Sequence, residues 1–315
     1  MKNNTNSSVL FNYLLLTRPY SWIDIIFTGI LAYSVSTSEV LTFGKSIWIG
    51  TICLLLWAAL NWYSERIQKD EGRIQPGLRA LGVVFAGSLI LITIQNPLAL
   101  IIYFIHTIFI IVYPYKKTKK YLGRVGFLLR GIHTLSLFFL IAILFKSYNE
   151  LIFNTRFLMF GVSLFLIQSS RSLIADIRDV NNDKYEFPAR YGAIISFIFA
   201  AVLFVIPLFF LPIKAFISFL PLVITSMIFL CIFRNNLSVA AYFIHRVFIF
   251  NFAIFKMVIS FNINNTTLLL IILTTITGLL NITYLMVPRP SNTQVLELFN
   301  SKNKNLLARI SDNRD

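Results

Sequence analysis

The chain has 315 residues, 57% of them hydrophobic and only 13% charged, with 28 Lys and Arg against 13 Asp and Glu. A soluble domain carries about 25% charged residues, and a transmembrane β-barrel needs alternating rather than continuous apolar runs, so both are excluded. A mean hydropathy of +0.75 leaves an all-α polytopic membrane protein. The net charge of +15 would suggest nucleic acid in a soluble chain. Here it reads as the positive-inside bias, and no nucleic-acid partner is expected.

The amino-terminal segment is polar and mixed without a cleavable signal pattern, so the first span is expected to serve as the anchor. Spans are predicted near 20–37, 46–63, 79–95, 97–114, 126–145, 152–174, 191–211, 213–232, 237–260 and 266–287. Pro97, Pro114, Pro188 and Pro212 stand at the edges of these runs, where helices start or stop. The result is a bundle of nine or ten transmembrane helices. The ninth segment, "YFIHRVFIFNFAIFKMV", is the uncertain span because it holds His245, Arg246, Asn251 and Lys256. Two cations near a bilayer centre cost roughly 5 to 7 kcal/mol, so they either face a polar cavity or snorkel from an interfacial helix. Residues 1–289 form one membrane domain, and 290–315 a polar, solvated tail.

The loops set the orientation. Arg66, Lys69, Arg73 and Arg79, then Lys116, Lys117, Lys119, Lys120 and Arg124, then Arg178, Lys184 and Arg190 occupy alternate loops, while the intervening ones hold only Lys45, Lys146 and Lys214. The amino terminus and the basic loops are therefore expected in the cytoplasm, in the cell membrane of a prokaryote. Cys53 and Cys231 lie in apolar segments, with no zinc spacing and no expected disulfide. His106, His133 and His245 sit singly in apolar runs and read as packed side chains. Arg130, just inside the fifth span, reads as snorkelling to the interface.

Two acidic islands remain to be explained. At the end of span 6, "RSLIADIRDVNNDK" supplies Asp176, Asp179 and Asp183, whose spacings of three and four place them on one face of a helical continuation. Carboxylates so close need a cation among them, and magnesium is commonly shared between carboxylates and a substrate phosphate. The plainer reading is a solvated loop whose acids pair with Arg178, Lys184 and Arg190. At the end of span 2, "NWYSERIQKDEGR" puts Asn61 and Glu65 one helical turn apart, with Asp70 and Glu71 beyond. Islands at spans 2 and 6 fit a duplicated four-helix unit. Between them "YPYKKTKK" supplies bases for phosphate at the same membrane face.

This constellation resembles the UbiA-type intramembrane prenyltransferases. That family carries Asn-Asp-x-x-Asp-x-x-x-Asp after its second helix and Asp-x-x-Asp-x-x-x-Asp after its sixth. Asp176, Asp179 and Asp183 match the second motif in full. "FPARYG" (187–192) is similar to the family's Leu-Pro-Val-Arg-Leu-Gly, Arg18 and Pro19 to its Arg-Pro before helix one, and "YPYKKTKK" to its Tyr-x-x-Lys after helix four. In the first motif only Asn61 is kept; Trp62, Glu65 and Lys69 replace the acids, and Asp70 stands one residue late.

The resemblance implies a helical bundle around a central cavity, built from two four-helix halves. It implies a polyprenyl diphosphate ionised with Mg²⁺ held by Asp176, Asp179, Asp183, Asn61, Glu65 and Asp70. Lys116, Lys120, Arg73 and Arg178 are the expected diphosphate contacts, and an aromatic or other small lipophilic acceptor traps the prenyl cation. Some of the 31 Phe residues suit an isoprenoid cavity. Two readings stay within the superfamily, a membrane terpene cyclase and a polyprenyl-phosphate phosphoribosyltransferase. Another class, a secondary transporter, would place coupling acids inside the membrane, whereas the acids singled out here are terminal.

Overall fold

A computed structural model describes residues 14, 16–18, 21–37, 39–68, 77–117, 119–180 and 185–261. The predicted tenth span, the tail, and Lys69, Asp70, Arg73 and Asp183 lie outside the described residues. Among the described residues every regular element is helical. The long helices are α1 (Trp22–Ser36), α2 (Phe43–Gln68), α3 (Leu78–Gln95), α4 (Leu100–Val112), α5 (Lys120–Ile143), α6 (Thr155–Arg178), α7 (Ala193–Leu208), α8 (Ile213–Ile232) and α9 (Leu237–Ser260). Two helices of five residues, Tyr148–Ile152 and Phe187–Tyr191, lead into α6 and α7.

By length and composition, seven of these are long and apolar enough to cross a membrane, with α4 counted together with its flanking turns; α1 and α7 are shorter apolar helices. The chain is a multi-pass, all-helical membrane protein. Each of the first nine predicted spans coincides with one of these helices. Local chemistry sets several of their starts. Asn154 accepts from Phe157 N at 3.0 Å and caps α6, while Asn236 accepts from Val239 N at 3.4 Å and caps α9. Asn96 accepts from Leu98 N at 3.0 Å, directly before the predicted breaker Pro97.

The helices divide into a buried centre and a lipid-facing periphery. The apolar windows of α6 and α9 are 72% and 78% buried, against 22% for α3 and for α8. Helix α6 packs on α5, α7 and α9 and touches α1, while α9 also packs on α1 and α8. Backbones approach closely where α5 crosses α6. A Cβ on Gly131 would sit 2.7 Å from the Phe165 carbonyl oxygen and would collide with Ser169 Oγ. Small residues at such crossings let membrane helices gain dispersion contact that lipid cannot supply. Ser170 Oγ then donates to the Ala200 carbonyl at 2.8 Å, binding α7 to the other side of α6.

Two boundaries differ from the sequence reading, and both differences shape one end of the bundle. Helix α2 continues through Asn61 and Glu65 to Gln68, and α5 begins at Lys120 rather than near 126. Gly123 does not interrupt α5; it is the point of closest approach for the chain around it. A Cβ there would meet the Tyr185 carbonyl and lie 2.8 Å from the Lys116 carbonyl oxygen.

Candidate active site

The end of the bundle carrying the basic loops is organised around a 3₁₀ turn, Tyr113–Lys117, that closes α4. The turn packs on both α2 and α5. Tyr115 shares a side-chain hydrogen bond with Tyr63 of the first island. Lys116 Nζ lies 2.8 Å from Asp176 Oδ1, at the end of α6, and 2.9 Å from Glu186 Oε1. Lys116, Asp176 and Glu186 are only 5%, 2% and 1% exposed. A single lysine thus fastens the second island from inside the protein, with the Tyr113 ring 5.3 Å from its ammonium.

The first island lies on helix. Asn61 and Glu65 are buried, as expected of side chains one turn apart on an inward face. Asn61 Nδ2 donates to the Trp57 carbonyl at 2.8 Å, which turns its Oδ1 the other way. Trp62, in place of the family's first acid, is partly buried and packs against the apolar core.

The second island departs from its predicted geometry. Helix α6 stops at Arg178, and Asp179 is its C-cap, with φ −96° and ψ 7°. The predicted helical continuation therefore stops at Arg178, with Asp179 still beside Asp176. Asp176 points inward to Lys116, whereas Asp179 pairs with Arg178, through Nε to Oδ1 at 2.7 Å and through Nη2 to Oδ2. The Arg178 to Asp179 pair follows the plainer reading of the loop; the burial of Asp176 does not. Asp176 Oδ2 has no hydrogen-bond partner among the described residues. Among those residues no three His, Cys, Asp or Glu side chains form a metal-sized cluster. Lys120 is exposed at the start of α5.

Arg130 corrects another expectation. Because α5 starts early, Arg130 lies three turns inside it and does not snorkel. Its guanidinium is 4.5 Å from the Trp57 ring centroid and 5.3 Å from that of Tyr113. Its charged neighbours include Arg18, Arg171 and Asp24. The indole of Trp57 in turn donates to the Thr17 carbonyl at 2.6 Å, placing the Thr17–Arg18 segment beside α2. Arg18 itself has φ of 52°, in the left-handed region.

Sequence reasoning missed two features. The first is Glu186, whose only signal was an acid just before "FPARYG". The second is a charge cluster inside the membrane. Asp24 of α1 accepts from Arg171 Nη1 of α6 and from Lys256 Nζ of α9, and Lys256 also donates to Thr28 Oγ1 at 2.8 Å. Asp24, Arg171 and Lys256 are all buried. The signal was present as one acid in the first apolar run and bases in the sixth and ninth. Of the two cations in the ninth segment, Lys256 faces a protein partner rather than the interface, and Arg246 is buried 4.8 Å from the Tyr242 ring centroid. His106 Nδ1 meets Ser136 Oγ at 2.7 Å and its ring packs on His133, in keeping with histidines that pack.

No family model matches the chain, and no curated protein matches it. A solved structure of a digeranylgeranylglyceryl phosphate synthase in membranes aligns over 87% of this chain and 97% of that one, with 21% identity and a TM-score of 0.48.

Proposed function

We propose that the chain is an integral membrane prenyltransferase that binds a polyprenyl diphosphate with Mg²⁺ and transfers its prenyl group to a lipophilic acceptor. One observation carries this reading. The Tyr113–Lys117 turn touches the first island through Tyr115 and holds the second through Lys116. That the turn touches Tyr63 of the first island and Asp176 of the second at one end of the bundle supports this reading.

In this proposal Asp176 is the principal cation ligand, and its unpartnered Oδ2 is the observation that fits one. Asp179, Asn61 and Glu65 are proposed as its companions, as are Asp183 and Asp70 from their places in the sequence. A bound Mg²⁺ would neutralise charge on the departing diphosphate. Lys116 holds a positive charge where that charge accumulates, in a dry setting that strengthens it. Lys120, Arg73 and Arg178 are proposed as outer phosphate contacts. Trp57 and Tyr113, whose rings flank Arg130, also offer electron-rich faces near an allylic cation. The site end faces the cytoplasm, as the loop charges require. Nine or ten spans and an isoprenoid cavity among the central helices belong to the same proposal.

The buried Asp24 is the one observation favouring a transporter, because acids inside a membrane mark ion paths by default. Here its carboxylate is held by Arg171 and Lys256 between tightly packed helices, the arrangement of a tie. The deciding experiment is incubation of purified protein with labelled prenyl diphosphates, with and without aromatic or lipid acceptors. Acceptor-dependent release of diphosphate, abolished by Asp176→Asn, is expected. A cyclic hydrocarbon formed without any acceptor would overturn transfer in favour of cyclisation.

A further inference from the structure

Glu186 is the N-cap residue of the short helix Phe187–Tyr191, yet its side chain makes no capping hydrogen bond. Instead the carboxylate turns inward, is 1% exposed, and has Lys116 Nζ at 2.9 Å. Among the described residues, neither Glu186 Oε2 nor Asp176 Oδ2 has a hydrogen-bond donor. Two buried carboxylates therefore share one ammonium, and Asp179, the next charge beside Asp176, is taken up by Arg178. Among the described residues that leaves a surplus negative charge and orphaned oxygens in a water-poor setting, which is unfavourable unless a proton or a further cation joins them. The donors are oxygens only, with no His or Cys, and such a set selects a hard divalent ion.

We propose that Glu186, together with Asp176, is a ligand for a divalent cation. It supplies from the loop before α7 a carboxylate that the first island lacks, where Trp62 and Lys69 stand in place of acids. The inference rests on the reading of Asp176 as a cation ligand and adds a residue to it. It also gives Lys116 a second part to play. In the cation-free protein its ammonium occupies the same two carboxylates, so ammonium and metal compete, and Lys116 is released toward phosphate when the metal arrives.

The test is direct binding of Mn²⁺ to purified protein in detergent, followed by electron paramagnetic resonance, with and without inorganic pyrophosphate. In the parent, one saturable site is expected. Glu186→Gln should weaken it by about tenfold or more, as loss of a ligand weakens at least as much as loss of an outer-shell partner. Lys116→Met should tighten Mn²⁺ binding measured without pyrophosphate, and Mn²⁺ should raise its melting temperature more than the parent's. A purely structural Glu186 predicts no change in Mn²⁺ affinity for Glu186→Gln, whereas the Lys116→Met result follows from Asp176 alone. If Asp176→Asn loses Mn²⁺ but Glu186→Gln binds it as the parent does, the inference is overturned and the reading of Asp176 stands. If the parent binds no Mn²⁺ under either condition, both fall. Should Glu186→Gln not fold, Glu186→Asp carries the test: parent-like affinity in that shorter side chain, with Lys116→Met no tighter than the parent, overturns the proposal.

Discussion

Asp24, Arg171 and Lys256 are the charges whose partners the structure supplied. Each lies in an apolar segment, and each would be expensive alone in hydrocarbon. Together they connect α1, α6 and α9 through one carboxylate. Breaking a buried ion pair on one side leaves the other charge uncompensated, at about 3–5 kcal/mol. Asp24→Asn is therefore expected to lower stability by an amount of that order, because it strands two cations. Lys256→Met should cost less, since Arg171 still neutralises Asp24. Equilibrium denaturation of the purified variants in detergent checks the ranking, and a Lys256→Met variant less stable than Asp24→Asn would refute it. Lys116 combines two duties that the sequence suggested only one of. It was legible as a phosphate contact from its place in "YPYKKTKK", but its present partners are Asp176 and Glu186. Glu186 was illegible because nothing local to "YEFPARYG" distinguishes a buried acid from a solvated one.

Among the elements, the 3₁₀ turn 113–117 and the segment before α7 meet over α5 only because Gly123 has no side chain. A methyl there would push against Tyr185 and the Lys116 carbonyl. Gly123→Ala should separate Glu186 from Lys116 and lower turnover or Mn²⁺ affinity by about tenfold, as a displacement near 1 Å in a positioned site does. Gly131→Ala, at the α5 to α6 crossing, should instead destabilise by about 1–3 kcal/mol through overpacking. Parallel activity and melting measurements on the two variants separate these effects. If Gly123→Ala matches the parent in both activity and metal binding, the turn is not the organiser described above. Helix extents were partly legible. The caps at Asn96, Asn154 and Asn236 could be read locally, whereas the early start of α5 depended on contacts that Gly123 makes with distant chain.

For the whole molecule, the charge asymmetry of the loops predicts a fixed orientation. In a Cys231→Ser background, Lys119→Cys should react with a membrane-impermeant maleimide only after cells are opened, and Glu150→Cys should react in intact cells. The reverse pattern would move the proposed site to the outside. The opposite end carries exposed ion pairs, Glu39 with Lys45 and Glu150 with Lys146. The Lys45 ammonium beside Glu39, through its hydrogen bond first, holds that carboxyl below the ordinary value. A depressed carboxylate contributes stability above the unfolded value of about 4.3 and loses it as the pH falls through the lowered one. Any difference in melting temperature between the parent and Glu39→Gln should thus be present at pH 7, small because the pair is exposed, and lost as the pH falls through the lowered value. A difference that grows on acidification would contradict this.

Composition and hydropathy by themselves determined that the chain is helical and crosses a membrane repeatedly, because hydrocarbon accepts a backbone only when its polar groups are satisfied within each segment. They also located both acidic islands and the lysine turn between them, since charges at helix ends stand out against apolar runs. Tertiary structure alone decided which charges meet. Asp24 finds Lys256 across the length of the chain, Asp176 turns inward while Asp179 turns to Arg178, and Glu186 joins Lys116. Pairing of buried charges depends on distances between helices, and no periodicity within a single helix records them.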